Sequence, residues 1–213
     1  LGEALRAEEL LKRMQALDGA CVLVRSSEQL NHYFEGGDPA ELAKRLAAHL
    51  SAADAARLAE IAKGSKVSVR TRAENGEARI VMKASIGDDS SENGVMRAEF
   101  EQSVPGFSLD ALDSEVLAAG FRYQAKWSRA REEYALQGAN VCLDKNAGYG
   151  YVAEFEKVID DAARAPAARA ELLGLMEGLG VEELPQDRLE RMFAHYNAHW
   201  PEYYGTDKVF TVE

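Results

Sequence analysis

Arg70 and Arg72, Arg129 and Arg131, Glu99 and Glu101, and Glu154 and Glu156 are each two residues apart, with Arg97 two before Glu99 and Lys83 four after Arg79. In a β-strand that spacing aims both side chains to the same side. Guanidinium groups present fixed forks of donors that match phosphate oxygens, and lysine adds a mobile point charge, so Arg70, Arg72, Lys83, Arg97, Arg129 and Arg131 together suit a polyphosphate. The glutamate pairs suit a hard cation such as Mg²⁺ or Mn²⁺. Bound by carboxylate and phosphate oxygens, such an ion would neutralise a transferred phosphoryl group and position an attacking water. Catalysis would then be mostly positioning and electrostatics.

The intervening residues define the strands. Val67, Val69 and Thr71 alternate with Ser68, Arg70 and Arg72; Ile80 and Met82 with Arg79 and Lys83; Met96, Ala98 and Phe100 with Arg97, Glu99 and Glu101; Ala153 and Phe155 with Glu154 and Glu156. The stretch 125–131 is less clean, because Lys126 opposes Trp127, Arg129 and Arg131. Asp144 ends the apolar run Val141 to Leu143. Any one pair taken singly reads as ordinary solvated charge. Five strands repeating the pattern favour a barrel whose apolar face packs outward against helices and whose charges line a polar lumen. Cross-strand salt bridges on an open sheet are the alternative.

The helices and turns follow from periodicity and caps. Leu5, Leu10, Leu11, Met14 and Leu17 predict an amphipathic helix ending at Asp18-Gly19. Residues 20–25 and 28–34 read as extended, the second setting Leu30, His32 and Phe34 against Gln29, Asn31 and Tyr33, and Gly36-Gly37 closes it. Asp38-Pro39 opens two short helices that run to Lys63, the second from Ser51. Asn75-Gly76 predicts a tight hairpin, Asn93-Gly94 a turn, and Ser108 a helix stopped by Gly120. Residues 157–180 and 187–199 read as helices, the latter stopped by Pro201, and 208–212 as a short strand.

Composition narrows the function classes. The chain has 213 residues and a formal net charge of -11, which opposes non-specific nucleic-acid binding. No apolar run reaches the length of a membrane span and no signal-peptide pattern opens the chain, so no membrane partner is expected. Cys21 and Cys142 lie in apolar stretches without metal-ligand spacing, pointing to a reducing compartment and a cytoplasmic protein. The first residue is not Met, so the sequence is expected to begin after a tag, a cleavage or a trimmed segment.

Other features read as structural. His195 and His199 have the spacing of a zinc pair but no third ligand, and His32 and His49 lack an evident partner. Gly148-Tyr149-Gly150 leads into a strand and reads as a turn, not as a phosphate cradle. Trp127, Trp200, Tyr203 and Tyr204 are expected to pack helix ends on the barrel.

Read in order, "NHYF" at 31–34, "VRTR" at 69–72, "RIVMK" at 79–83, "RAEFE" at 97–101, "RAREEY" at 129–134 and "GYGYVAEFE" at 148–156 resemble the CYTH superfamily, the triphosphate tunnel metalloenzymes. That superfamily includes thiamine triphosphatases, inorganic triphosphatases and class IV adenylate cyclases. The resemblance implies an α+β fold, an antiparallel β-barrel with peripheral helices and a C-terminal helical segment over about 157–205, in a single domain spanning 1–213. It implies that Arg70, Arg72, Lys83, Arg97, Arg129 and Arg131 hold phosphates and that Glu99, Glu101, Glu154 and Glu156 bind Mg²⁺ or Mn²⁺. Asp144 would line the same lumen, and Lys208 resembles a late lysine that closes some members. The family's ExExK strand has no match in this sequence: either it lies upstream of Leu1, or two metal carboxylates and a phosphate lysine are missing. The implied activity is metal-dependent hydrolysis of inorganic triphosphate or of an organic triphosphate such as thiamine triphosphate. Binding without catalysis and cyclisation of ATP are the alternatives.

Overall fold

A computed structural model describes residues 2–85 and 97–211. In chain order its elements are α1 (Ala4–Leu17), β1 (Val22–Gly36), α2 (Pro39–Leu46), α3 (Ala52–Ala62), β2 (Ser65–Glu74), β3 (Glu77–Ser85) and β4 (Arg97–Ser103). They continue with α4 (Leu109–Ala118), β5 (Phe121–Leu136), β6 (Ala139–Asn146), β7 (Gly150–Glu156), α5 (Ala165–Gly178) and α6 (Gln186–Tyr203). The chain divides into two compact units, Gln29–Trp127 on the one hand and Leu1–Glu28 with Ser128–Glu213 on the other.

In the Gln29–Trp127 unit the ladder runs β4-β3-β2-β1, antiparallel throughout. Asn75 and Gly76 both take positive φ, 49° and 87°, as a two-residue hairpin of the primed type requires. Asp38 accepts hydrogen bonds from the Ala40 and Glu41 N–H groups to start α2. Ser51 and Ser108 cap α3 and α4 in the same way through Asp54 and Ala111. The strands turn Phe34, Val69, Ile80, Met82 and Phe100 toward Leu42, Leu46, Leu58, Ile61, Leu112 and Val116 of these helices. Burying each such side chain is worth about 1.5–3 kcal/mol. With alternate positions committed to that core, the remaining ones must share the opposite face.

In the other unit the ladder runs β5-β6-β7. Leu10 and Met14 of α1 pack with Tyr134, Leu136, Val141, Leu143 and Leu179, and the Arg13 guanidinium donates to the Leu179 carbonyl at 3.1 Å. Gly180, at φ +64°, ends α5 with the Val181 N–H returning to the Met176 carbonyl. Gly2 exchanges two backbone hydrogen bonds with Tyr151 of β7.

The α+β class, the antiparallel pairing and the peripheral helices are as expected. Within their ladders β4 and β7 are end strands. Four boundaries differ. One long strand, β1, replaces the two expected extended segments. Helix α5 starts at Ala165, not at 157, because Asp161 caps a short 3-10 turn and Pro166 occupies the first turn of α5. Helix α6 passes through Pro201 to Tyr203; near a helix end only one donated hydrogen bond is forfeited. In place of a strand over 208–212, a single parallel bridge joins Val209 to Gly148, and Val212 lies outside the described residues. So do the Asn93-Gly94 turn and Met96. No described helix is long and apolar enough to cross a membrane.

Candidate functional site

The face of β1–β4 opposite the helices is a charged lattice fixed by register. Tyr33 stands beside Arg70, Asn31 beside Arg72, Ser68 beside Lys83, and Lys83 beside Glu99. Arg72 is 6 % exposed, and its Nε donates to Asn31 Oδ1 at 2.8 Å while Nη1 donates to both Glu101 oxygens at 2.9 and 3.0 Å. Arg70 Nη1 donates to the Tyr33 hydroxyl at 2.6 Å, and its Nη2 lies 3.8 Å from Glu99. The Arg70 guanidinium also sits 5.4 Å from the Tyr33 ring centroid. Lys83 Nζ is 2.7 Å from Glu99. Burial opposes the Arg70 charge, but Tyr33, Glu99 and Glu101 outweigh it and raise its pKa.

Arg79 joins this face directly opposite Arg72. Two like charges in register repel. Carboxylates answer both, Glu101 for Arg72, and Glu77 at 3.0 Å with Glu74 at 3.6 Å for Arg79. Arg97, at the start of β4 opposite Ser85, is exposed.

The second charged face belongs to β5–β7 and is organised around one buried carboxylate. Asp144 has no exposed surface. Arg129 Nη1 reaches its Oδ2 at 2.9 Å, and Arg131 donates through Nε and Nη2 to its two oxygens at 2.7 and 2.6 Å. Arg131 Nη2 also meets Glu154 at 2.5 Å, and Arg129 lies 3.8 Å from Glu154. Burial works against the Arg131 charge, but Asp144 and Glu154 overcome it and its pKa rises. Cys142 shares this face, opposite Glu154. Burial pushes its thiol up to about 12, which keeps it protonated and unreactive. Glu156, opposite Asn140, is exposed. Lys208 is exposed as well, and its carbonyl accepts from the Gly148 N–H at 2.8 Å.

Of the residues expected from sequence, the structure thus gathers Arg70, Arg72, Lys83, Glu99 and Glu101 on one face. Arg129, Arg131, Asp144 and Glu154 meet on another, while Arg97, Glu156 and Lys208 stand at exposed positions. Asn31, Tyr33 and Arg79 are members of the first face that the sequence reading left out of the site. Their signal was the alternation of Gln29, Asn31 and Tyr33, and of Arg79 with Lys83.

His32, without an evident partner in the sequence, has one across the helix-facing side. Asp113 of α4, 2 % exposed, lies 2.6 Å from His32 Nδ1 and accepts from Thr71 Oγ1 at 2.5 Å and from the Tyr123 hydroxyl at 2.7 Å. Burial would raise the Asp113 pKa, but the hydrogen bonds from His32, Thr71 and Tyr123 prevail and lower it. The His195 and His199 rings lie 4.7 Å apart, with His199 Nδ1 at 3.1 Å from Glu202. Gly148-Tyr149-Gly150 forms a turn whose Tyr149 packs on Phe193, Tyr196 and Phe210. A Cβ on Gly148, at φ +84°, would come within 2.7 Å of the Tyr196 ring and 2.9 Å of Phe210.

Glu99, Glu101, Asp144, Glu154 and Glu156 offer oxygen donors of the kind Mg²⁺ or Mn²⁺ prefers. Among the described residues, however, no three His, Cys, Asp or Glu side chains are grouped to hold an ion. Glu99 faces Lys83 and Arg70, both Glu101 oxygens are taken by Arg72, and Asp144 lies beneath two arginines. As arranged here, the carboxylates do not fit a metal.

No curated protein matches the sequence. Similar solved structures include a conserved hypothetical protein from Pyrococcus furiosus, at 19% identity and TM-score 0.59, covering 83% of this chain and 86% of that one. The PH1819 protein of Pyrococcus horikoshii aligns at 19% identity and TM-score 0.61 over 88% of this chain and 93% of its own. A "putative adenylate cyclase" from Vibrio parahaemolyticus aligns at 13% identity and TM-score 0.56, covering 88% and 91%. At these identities the likeness is one of fold. The sequence profile of the CYTH domain matches residues 59–188, a span that contains β2–β4 and β5–β7, and the chain belongs to the CYTH domain family.

Proposed function

We propose that this protein is a divalent-metal-dependent hydrolase of inorganic triphosphate or of a small organic triphosphate such as thiamine triphosphate. The CYTH family includes triphosphatases and adenylyl cyclases, binds small triphosphates and is generally dependent on divalent metals. The observation that carries the reading is the β1–β4 face, where Arg70, Arg72 and Lys83 are held on adjacent strands and two of them are oriented by neutral acceptors, Tyr33 and Asn31. Fixed guanidinium forks supported in this way bind phosphate oxygens with little further ordering. Arg129 and Arg131 are proposed as further phosphate ligands, with Arg97 and Lys208 as exposed cations that meet the incoming anion. A net charge of -11 makes nucleic acid a poor ligand and confines anion binding to such concentrated cationic sites. Two free, buried cysteines suit a cytoplasmic setting.

The test is phosphate release from tripolyphosphate and thiamine triphosphate with Mg²⁺ or Mn²⁺. Arg70→Ala should lower turnover by about a hundredfold or more, as removal of one group that stabilises developing charge does, and Glu99→Gln, which unseats Lys83 and Arg70, should lower it as well, with the circular dichroism spectrum retained in both. Full activity in both variants would overturn the proposal. Cyclic AMP with pyrophosphate as the products from ATP would assign the cyclase reaction in its place.

A further inference from the structure

The last turns of α6 carry a cluster of donors that uses no residue of either charged face. His195, His199 and Tyr203 follow one another at intervals of four, so they share one side of the helix. The two imidazole rings lie 4.7 Å apart, and His195 Nε2 stands 3.5 Å from the Tyr203 hydroxyl. That gap is long for a hydrogen bond, whose usual length is about 2.9 Å. It matches two ligands of one ion, since donors each about 2.0–2.1 Å from a tetrahedral centre sit about 3.3 Å from one another. His199 Nδ1 is 3.1 Å from Glu202, and with that N–H donated to the carboxylate the lone pair lies on Nε2. The Phe210 ring packs on His195 at 4.6 Å and on Tyr203 at 5.3 Å, which restricts the rotation of both.

We propose that His195, His199 and Tyr203 form a site for Zn²⁺ or a similar transition ion, with Glu202 orienting His199 from behind and water completing the coordination. Imidazole donors suit such an ion and not Mg²⁺, which prefers oxygen ligands in an octahedral array. No three His, Cys, Asp or Glu side chains converge among the described residues. The third protein donor is therefore the Tyr203 phenol, which releases its proton to solvent as it binds. Two histidines four apart on a helix are by themselves a common surface feature. The gap to Tyr203 and the contact from Glu202 distinguish this pair, because they supply a further ligand and a fixed tautomer. The bound ion would fasten the end of α6 against Phe210, and the inference is independent of the triphosphate reading.

The test is a calorimetric titration of the full chain with Zn²⁺ in excess Mg²⁺, which keeps oxygen-rich sites from contributing. Joint replacement, His195→Gln with His199→Gln, should abolish the binding event seen in the unsubstituted protein. Glu202→Gln should weaken it about tenfold, the lower end of what losing the carboxylate behind a ligating histidine costs. The Glu202 side chain is 62% exposed, so its replacement leaves folding undisturbed and the loss reports on the ion alone. Tyr203→Phe should weaken binding by a comparable factor, with the circular dichroism spectrum retained in every variant. Absence of Zn²⁺ binding in the unsubstituted protein, or binding that survives the joint histidine replacement, overturns the proposal. Full affinity in both Glu202→Gln and Tyr203→Phe overturns it as well, and leaves an adventitious histidine pair only.

Discussion

On the β1–β4 face Arg70, Arg72 and Lys83 are divided among Glu99, Glu101, Tyr33 and Asn31, whereas on the β5–β7 face Arg129 and Arg131 converge on Asp144. Spreading the contacts gives each guanidinium more than one partner, and neutral acceptors hold it in place without cancelling its charge. Convergence on a carboxylate that solvent does not reach fixes two arginines firmly. Similar residue types thus yield one face of distributed contacts and one centred on a single buried carboxylate.

The sharpest way to break this comparison is Asp144→Ala. Removing one member of a buried ion pair typically costs 3–5 kcal/mol, and here two arginines would lose their shared partner, so urea denaturation should show a loss of about 4 kcal/mol. A loss below about 1 kcal/mol, the level of an exposed pair, would contradict this role for Asp144.

Asp113 supplies the next test, because it is equally hidden but lies off both charged faces. Asp113→Asn should cost about 2–3 kcal/mol, as expected when a buried carboxylate with several donors is replaced, and should leave tripolyphosphate affinity unchanged. Its pKa is lowered in the folded protein. Its contribution is therefore complete above the ordinary carboxylate value and is lost as pH falls from about 4 through the depressed one. The stability gap between the two proteins should narrow over that acid range, and a gap that widened there would contradict the assignment.

Tyr33→Phe probes the β1–β4 face. Loss of one hydrogen bond to a guanidinium predicts about 1–2 kcal/mol, appearing as a several-fold higher KM for tripolyphosphate with kcat less affected. An equal fall in kcat with KM constant would show that Tyr33 acts on the reaction and not on Arg70. Glu154→Gln should matter least for stability, under about 1 kcal/mol, since its side chain is 52% exposed despite the short contact with Arg131.

The charged faces were legible in the sequence because a period of two leaves a plain mark: Arg70 with Arg72 and Glu99 with Glu101 declare a shared side before any fold is known. Caps at Asp38, Ser51 and Ser108 placed three helix starts for equally local reasons. What escaped depends on partners distant in sequence. Asp113 lies 81 positions from His32, and nothing near either residue announces the contact. That Glu99 would meet Lys83, and Glu101 Arg72, follows from strand register and the reach of long side chains, not from spacing within one strand. Pro201 does not stop its helix, because it lies close to the end of α6, where one forfeited amide bond costs little.

The turn at Gly148 ties the last stretch of chain to the strands that carry Asp144 and Glu154. Its amide and carbonyl are both engaged by the backbone around Val209, and the aromatic rings of Tyr196 and Phe210 fill the space where any other residue would put a carbon. Shortening the protein before Lys208 would therefore loosen the β6–β7 connection from outside, and the Gly148 amide, read by deuterium uptake, would be the first to register it.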